Sequence, residues 1–315
     1  MTIFLAGASG LVGSAFARAA ARRGHRVVGT VGTYPGTVAG LARQRTLDLR
    51  DTSAITAAVL DDFPQVIVNC AAVSAPEQCA ADPARAQALN VDLPATLARL
   101  AHHVSARCVH LSSEQVFPGT SQTPYAAADP VAPLNLYGRQ KLAAERAVHA
   151  AAAEFVVTVR APLLLGNSLG GQRSLHERLL GEWAAGRTPA LFTDEFRQPC
   201  TAENLAEVMV ELCERTDLRG MWHWGGRDVL SRYDLACRVR AHFKLSAAQA
   251  PLIAIARAER GAEVAQRPAY LALDTGPLQA KLKTRTLALT EQLDELVVPP
   301  PVRAWYLAQP ALEKP

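Results

Sequence analysis

Apolar residues along this chain fall into two alternating patterns. Short, mostly apolar runs, "TIFLA", "RVVGTV", "QVIVNC", "ARCVHLSS" and "EFVVTVR", are separated by longer stretches in which alanine, leucine and valine return every three to four positions. Near-continuous apolar runs are the mark of strands buried on both faces, and the longer spacing is that of helices with one buried side. The pattern predicts helices over 11–23, closed by Gly24, over Thr52–Asp62, over roughly 83–102, and from Leu136 onward. Strand and helix in succession predict an α/β fold with a doubly wound parallel sheet in residues 1–160. Past Arg160 glycines and prolines come closer together, Trp183, Trp222 and Trp224 appear, and the periodicity fades. Residues 161–315 therefore read as a smaller mixed α/β substrate region, partly interleaved with the first and lying over the sheet's C-terminal edge. Its proline-rich tail is expected to be loosely ordered at the end.

The turn between the first strand and the first helix reads "GASGLVG". Gly7 suits the tight turn, Gly10 lets a pyrophosphate approach the backbone, and Gly13 lets helix and strand pack closely. The helix start adds free N–H groups and partial positive charge. In that setting Gly7, Ser9, Gly10, Leu11, Val12 and Gly13 form a Rossmann-like dinucleotide site. Further on, Tyr137 and Lys141 lie four apart in "LYGRQKLAAE", on one helix face, where an ammonium can help to ionise a phenol. The pair proves little alone. With the glycine turn, and with Ser113 at a strand end 24 residues before the tyrosine, it reads as catalytic.

Composition changes this picture little. A chain of 315 residues, 49% apolar and 20% charged, can bury a full α/β core, and a net charge of +4 with scattered arginines gives no nucleic-acid signature. Six cysteines without C-x-x-C spacing read as reduced, mostly buried thiols. The opening residues lack a signal-peptide pattern and no run reaches the ~18 apolar residues of a membrane span, so a cytoplasmic protein is expected.

The glycine spacing, G-x-x-G-x-x-G, resembles that of the extended short-chain dehydrogenase/reductase superfamily. "LDLRD" resembles its adenine contact, which implies cofactor roles for Asp48 and Leu49, and "NCAA" resembles its strand end beside the cofactor, implying Ala71 and Ala72. Asn90 falls at the family's mid-helix asparagine. Ser113, Tyr137 and Lys141 match its Ser/Thr–Tyr–Lys set, the last two also touching the cofactor; Ser113 is preferred to Ser112 because it stands four residues before Phe117. Within the superfamily the chain resembles the dTDP-4-dehydrorhamnose reductases over nearly its whole length, through "SSEQVFPGTSQTPYAAADPVAPLNLYGRQKLAAERAV", "FTDEFRQPCTAENLAEVM", "GMWHWGGRDVLSRYDLA" and "QRPAYLALDTGPLQ". It departs from them at Glu114–Gln115, where they often carry Asp–Tyr. A glutamine there also argues against a 4,6-dehydratase, since it cannot act as a base.

The resemblance implies an NAD(P)H-dependent reductase acting on a keto group of a 4-keto-6-deoxy sugar nucleotide. Tyr137 would be the acid, Lys141 would lower its pKa and hold the nicotinamide ribose, and Ser113 would orient the carbonyl. The second strand ends without an acid for a ribose 2′-OH, offering Thr30, Thr33 and Tyr34 with Arg43 and Arg45 beyond. NADP(H) is favoured on that ground, with NAD(H) the alternative, and Thr30 is assigned to the cofactor. The expected partner is a nucleotide sugar, with no nucleic acid and no membrane, in a monomer or homodimer. Two rivals are a non-catalytic NADP-binding subunit resembling the methionine adenosyltransferase β-subunit, and a sugar-nucleotide epimerase with tightly held NAD. No metal is expected, adjacent His102 and His103 being ill-placed to share one. Trp222, His223 and Trp224 read as packing under a strand, with His223 a candidate for the pocket wall, and Arg173, Arg187, Arg197 and Arg232 as candidates to grip a diphosphate.

Overall fold

The computed structural model describes residues 1–310, apart from the side chains of Ala262 and Glu263; the end of the proline-rich tail, 311–315, lies outside the described residues. The strands read from the sequence form β1 (Thr2–Ala6), β2 (Arg26–Val31), β4 (Val66–Asn69), β5 (Arg107–Ser113) and β6 (Val156–Ala161). Two further strands complete a seven-stranded parallel sheet: β3 (Arg43–Thr46) at one edge and Gly220–His223 at the other, in the order Gly220–His223, β6, β5, β4, β1, β2, β3. Neither edge strand has an apolar run to announce it. "RQRT" is polar and "GMWH" lies far downstream of β6, so each becomes a strand only by pairing with its neighbour's backbone. Trp222 and His223 thus sit within a sheet strand rather than beneath one.

The near-continuous apolar runs have the reason expected of them. Along β1, Ile3 and Leu5 join the core under the helices α1 (Leu11–Arg22) and α8 (Ala202–Glu214), while Phe4 and Ala6 join the core on the other face. That second face is covered by α2 (Thr52–Asp62), α5 (Leu93–His103) and α6 (Leu136–Ala152). The strand order reverses between β1 and β4, which opens a crevice at the strands' carboxyl ends, the usual ligand position of such sheets. A third apolar cluster, around Leu180, Trp183 and Phe243, knits together α7 (Leu175–Ala184) and the segments that follow it.

The helix predicted over 83–102 is present as one continuous helical run with a π-helical turn inside it. A short α3 (Pro76–Ala81) precedes α4 (Pro83–Gln87), a π-helical turn spans Ala88–Asp92, and α5 follows. Pro94 in the first turn of α5 has no N–H to give and its ring crowds the carbonyl four residues back, so the chain widens there instead of continuing as an α-helix.

Candidate active site

The glycine turn is built as its composition demands. Gly7 holds φ at +83°, and a Cβ there would stand 2.8 Å from Ala71 Cα. At Gly13 a Cβ would meet the Gly7 carbonyl oxygen at 2.1 Å, so α1 can approach the turn only as glycine. The Gly7 N–H donates to Thr30 Oγ1 at 3.1 Å, and that hydroxyl donates to the Leu5 carbonyl at 3.3 Å. Thr30 is fully buried, with its hydroxyl spent on shaping the turn. Gly10 caps α1 without a side chain, and no acid sits in the first turn, so the helix start keeps N–H groups and positive potential for an anion.

A cleft of about 970 Å³ runs from this helix start past Ala71 and Ala72 to Ser113, Tyr137 and Lys141. Gly10, Leu11 and Val12 line it, whereas Ser9, Thr30, Asp48 and Leu49 do not. Asp48 is held by Arg50, Oδ2 to Nη2 at 2.6 Å, and this pairing draws its carboxyl down to about 2. Leu49 packs against the α2-side core. Replacing Gly10 with valine puts branched carbons where a pyrophosphate would approach; NADPH affinity measured by fluorescence titration is expected to fall by at least about tenfold. Unchanged affinity would place the nucleotide elsewhere.

Local packing brings Ser113, Tyr137 and Lys141 together. Ser113 ends β5, and its Oγ accepts the Gln115 N–H at 3.2 Å. Asn135 caps α6 by accepting the Gly138 N–H at 2.8 Å, while its Nδ2 donates to Gln115 Oε1 at 3.0 Å. A Cβ at Gly138 would lie 2.2 Å from the Gln115 carbonyl oxygen. That close approach is what seats Tyr137 beside Ser113. Burial raises the Tyr137 phenol to about 12, against a hydrogen bond with Ser113 that lowers it. Lys141, 3% exposed, donates from Nζ to the Leu111 carbonyl at 2.5 Å. Burial lowers its ammonium to about 8, with Glu145 pulling the other way.

Asn90, in the π-turn, accepts the Val73 N–H at 2.9 Å and donates to the Val73 carbonyl at 3.1 Å and to Gln140 Oε1 at 2.9 Å. It ties the cleft wall to α6. Beneath Lys141 lies a buried network that sequence reasoning missed: Arg160 Nε and Nη2 grip the two oxygens of Glu145 at 2.8 Å each, and Ser112 Oγ donates to Glu145 Oε1 at 2.5 Å. The lysine-to-glutamate spacing of four was a usable signal; Arg160, on a different element, gave none.

The other tempting residues have ordinary partners. His223 is 2% exposed, bonds through Nδ1 to the Tyr125 carbonyl at 3.0 Å and does not line the cleft, which corrects its candidacy for the pocket wall. Arg187 pairs with Glu182 at the surface, away from the cleft; Arg173, Arg197 and Arg232 do line it. Arg43 lies 3.2 Å from both Asp61 and Asp62, and Arg45 is bound by the same two acids. His102 faces Glu154 at 3.2 Å, and among the described residues no cluster of His, Cys, Asp and Glu could hold a metal. No helix among them is long and apolar enough to cross a membrane.

Residues 1–299 match the family model described as the RmlD substrate binding domain. The chain belongs to that family. The match and the seven-stranded sheet make the chain an extended short-chain dehydrogenase/reductase of this branch. Among curated relatives, the probable dTDP-4,6-dihydroxy-2-methyloxan-3-one 4-ketoreductase of Streptomyces antibioticus is 32% identical over 82% of this chain and 87% of its own. The methionine adenosyltransferase 2 subunit beta of Xenopus laevis is 31% identical over 76% of this chain and 72% of its own. Among solved structures, the dTDP-4-dehydrorhamnose reductase of Bacillus anthracis str. Ames, in complex with NADP, superposes with a TM-score of 0.77 at 19% identity, covering 93% of this chain and 97% of that one.

Proposed function

We propose that the protein reduces a keto group of a nucleotide sugar, of the 4-keto-6-deoxy kind, at the expense of NAD(P)H. The observation that carries this reading is the single cleft that joins an uncapped helix start to Ser113, Tyr137 and Lys141. The residues fit the cofactor: a Cβ at Gly7 or Gly13 would collide with the turn's own packing, and the start of α1 offers N–H groups to a pyrophosphate. Bound there, the nicotinamide supplies the hydride. Ser113 hydrogen-bonds and orients the carbonyl oxygen. Tyr137, its phenol raised by burial, holds its proton at neutral pH and delivers it to the alkoxide oxygen as charge develops. Lys141 keeps an ammonium near that phenol, eases the proton's departure and binds the nicotinamide ribose.

The reading assigns residues 1–160 mainly to the cofactor and 161–315 mainly to the substrate, with α8 and Gly220–His223 returning to the sheet. It is tested by following NADPH absorbance while purified protein is offered dTDP-4-dehydro-6-deoxy-L-mannose beside other keto sugars. Oxidation that depends on one sugar supports it. NADPH binding without turnover on any sugar favours instead a regulatory subunit, the reading suggested by the likeness to the methionine adenosyltransferase subunit.

Two outcomes follow from the geometry. Lys141 is an ammonium below about pH 8 and a neutral amine above it, so kcat for reduction is expected to be flat below that point and to fall above it. A pH profile of kcat checks this; one that rises above that point would contradict the role given to Lys141. NADP(H) remains favoured because no acid stands between Val31 and Thr46 to repel a 2′-phosphate. Arg43 and Arg45 are committed to Asp61 and Asp62, however, so the preference for NADPH over NADH in kcat/KM is expected to stay within about tenfold, roughly 1.4 kcal/mol.

A further inference from the structure

Glu145 is a buried carboxylate that the reduction, as described so far, leaves unused. It stands one turn beyond Lys141 on the buried face of α6, and both residues are 3% exposed. Its oxygens are held from two strands: Arg160 on β6 donates Nε and Nη2 to them at 2.8 Å each, and Ser112 on β5 donates its hydroxyl to Oε1 at 2.5 Å. Arg160 is itself fixed on its other side, where Nη1 donates to the Ala127 carbonyl at 3.2 Å and lies 3.4 Å from His223 Nε2.

Two buried charges give a fold little that well-packed apolar side chains of similar volume would not. What an apolar pair cannot supply is negative potential at an ammonium that has itself been taken out of water. Lys141 donates to the Leu111 carbonyl, a neutral acceptor, and a buried ammonium keeps its proton only where a counter-charge offsets its lost hydration. The ionisable groups around it come from three strands and its own helix: Cys70 just past β4, His110 on β5, Arg160 on β6, and Tyr137, Glu145 and His149 on α6. Burial pushes the Cys70 thiol and the Tyr137 phenol up to about 12 and holds His110 well below its usual value, so these three are neutral near pH 7. His149, bonded to Thr158, is lowered by burial too. Of these groups only Glu145 brings a negative charge.

We propose that Glu145 is a positioning residue of the reaction: held by Arg160 and Ser112, its carboxylate is the counter-charge that keeps Lys141 an ammonium beside Tyr137, and Arg160 moderates that charge. The inference rests on the keto-sugar reading above, in which Lys141 acts as an ammonium. Glu145 opposes the burial that draws Lys141 down to about 8, and so fixes where the alkaline limb of kcat falls.

The test follows two quantities in the full chain from about pH 6 to about pH 10: kcat for the keto sugar at saturating NADPH, and the side-chain NMR signal of Lys141 in isotope-labelled protein, assigned by its loss in Lys141→Met. Glu145→Gln keeps the shape but removes the charge, so the kcat limb and the Lys141 titration should both move down by about one pH unit. Arg160→Ala leaves the carboxylate uncancelled, so both should move up by about the same amount. Each variant is expected to be less stable than wild type, yet the two shift the titration in opposite directions. With both substitutions the titration should lie below wild type, because Glu145 is the partner that acts directly on Lys141.

A shift in the same direction in both single variants, or none in either, would show a pair that only holds β6 to α6 and overturn the inference. Should a single variant not fold, the double variant decides, and a Lys141 titration at or above the wild-type pH overturns the inference. A wild type that reduces no keto sugar removes the reading of the function; the NMR titrations need no turnover and still decide whether Glu145 holds the charge on Lys141.

Discussion

Tyr137→Phe is expected to lower kcat by about 10²–10⁴-fold while NADPH affinity stays within a few-fold. The ring is 9% exposed and packs against Val73, Cys79 and Ala86, so phenylalanine keeps the packing and deletes only the hydroxyl. In the proposed reaction that hydroxyl is the proton source. Ser113 can polarise the carbonyl but holds no proton acidic enough to replace it, and the Lys141 ammonium is directed at the Leu111 carbonyl. Steady-state turnover with a fluorescence titration of NADPH separates the two effects. Retained turnover would remove Tyr137 as the acid, and a parallel loss of cofactor affinity would make its role binding rather than proton transfer.

Arg160→Ala is expected to destabilise the fold by about 3–5 kcal/mol, the loss typical of a buried ion pair robbed of one partner. The Arg160 and Glu145 side chains are 5% and 4% exposed, and the guanidinium meets both carboxylate oxygens. The same guanidinium lies 5.0 Å above the Phe117 ring, which stacks on Tyr125. Removing it strands a carboxylate beneath Lys141. Adding Glu145→Gln to Arg160→Ala should recover part of the loss, because the carboxylate that Arg160 neutralised is then gone. Denaturant unfolding of the single and double variants checks this. A single variant as stable as wild type would mean that water reaches the pair and that it does not hold β6 to α6.

How much was legible follows from where each interaction's partners lie in the chain. The glycine turn was readable because Gly7, Gly10 and Gly13 act on one another within one turn, and the collisions a Cβ would cause there are with the turn itself or with the adjacent β4 end. The Tyr137–Lys141 spacing was readable because a helix puts fourth neighbours on one face. The helical run over 83–102 was readable from its alanine-rich periodicity; the π-turn inside it, ahead of Pro94, was not, because periodicity alone does not register the cost of a missing N–H. Thr30 was assigned to the cofactor from its place at a strand end; its hydroxyl is spent on Gly7 and Leu5, a use visible only once β1 and β2 are paired.

The sequence by itself determined the doubly wound sheet, the dinucleotide turn and the helix that carries tyrosine and lysine. Each rests on contacts within one element or between neighbours in the chain, where residue type and spacing dictate geometry. Only the tertiary structure decided the two edge strands, the commitment of Arg43 and Arg45 to Asp61 and Asp62, the Glu145–Arg160 pair under Lys141, and the half-satisfied Glu114 on the cleft wall. Those features join residues far apart along the chain, from 15 positions between Glu145 and Arg160 to 83 between Glu114 and Arg197. Burial, which sets the protonation of Glu114, Tyr137 and Lys141, is a property of everything packed around a side chain and of no local spacing.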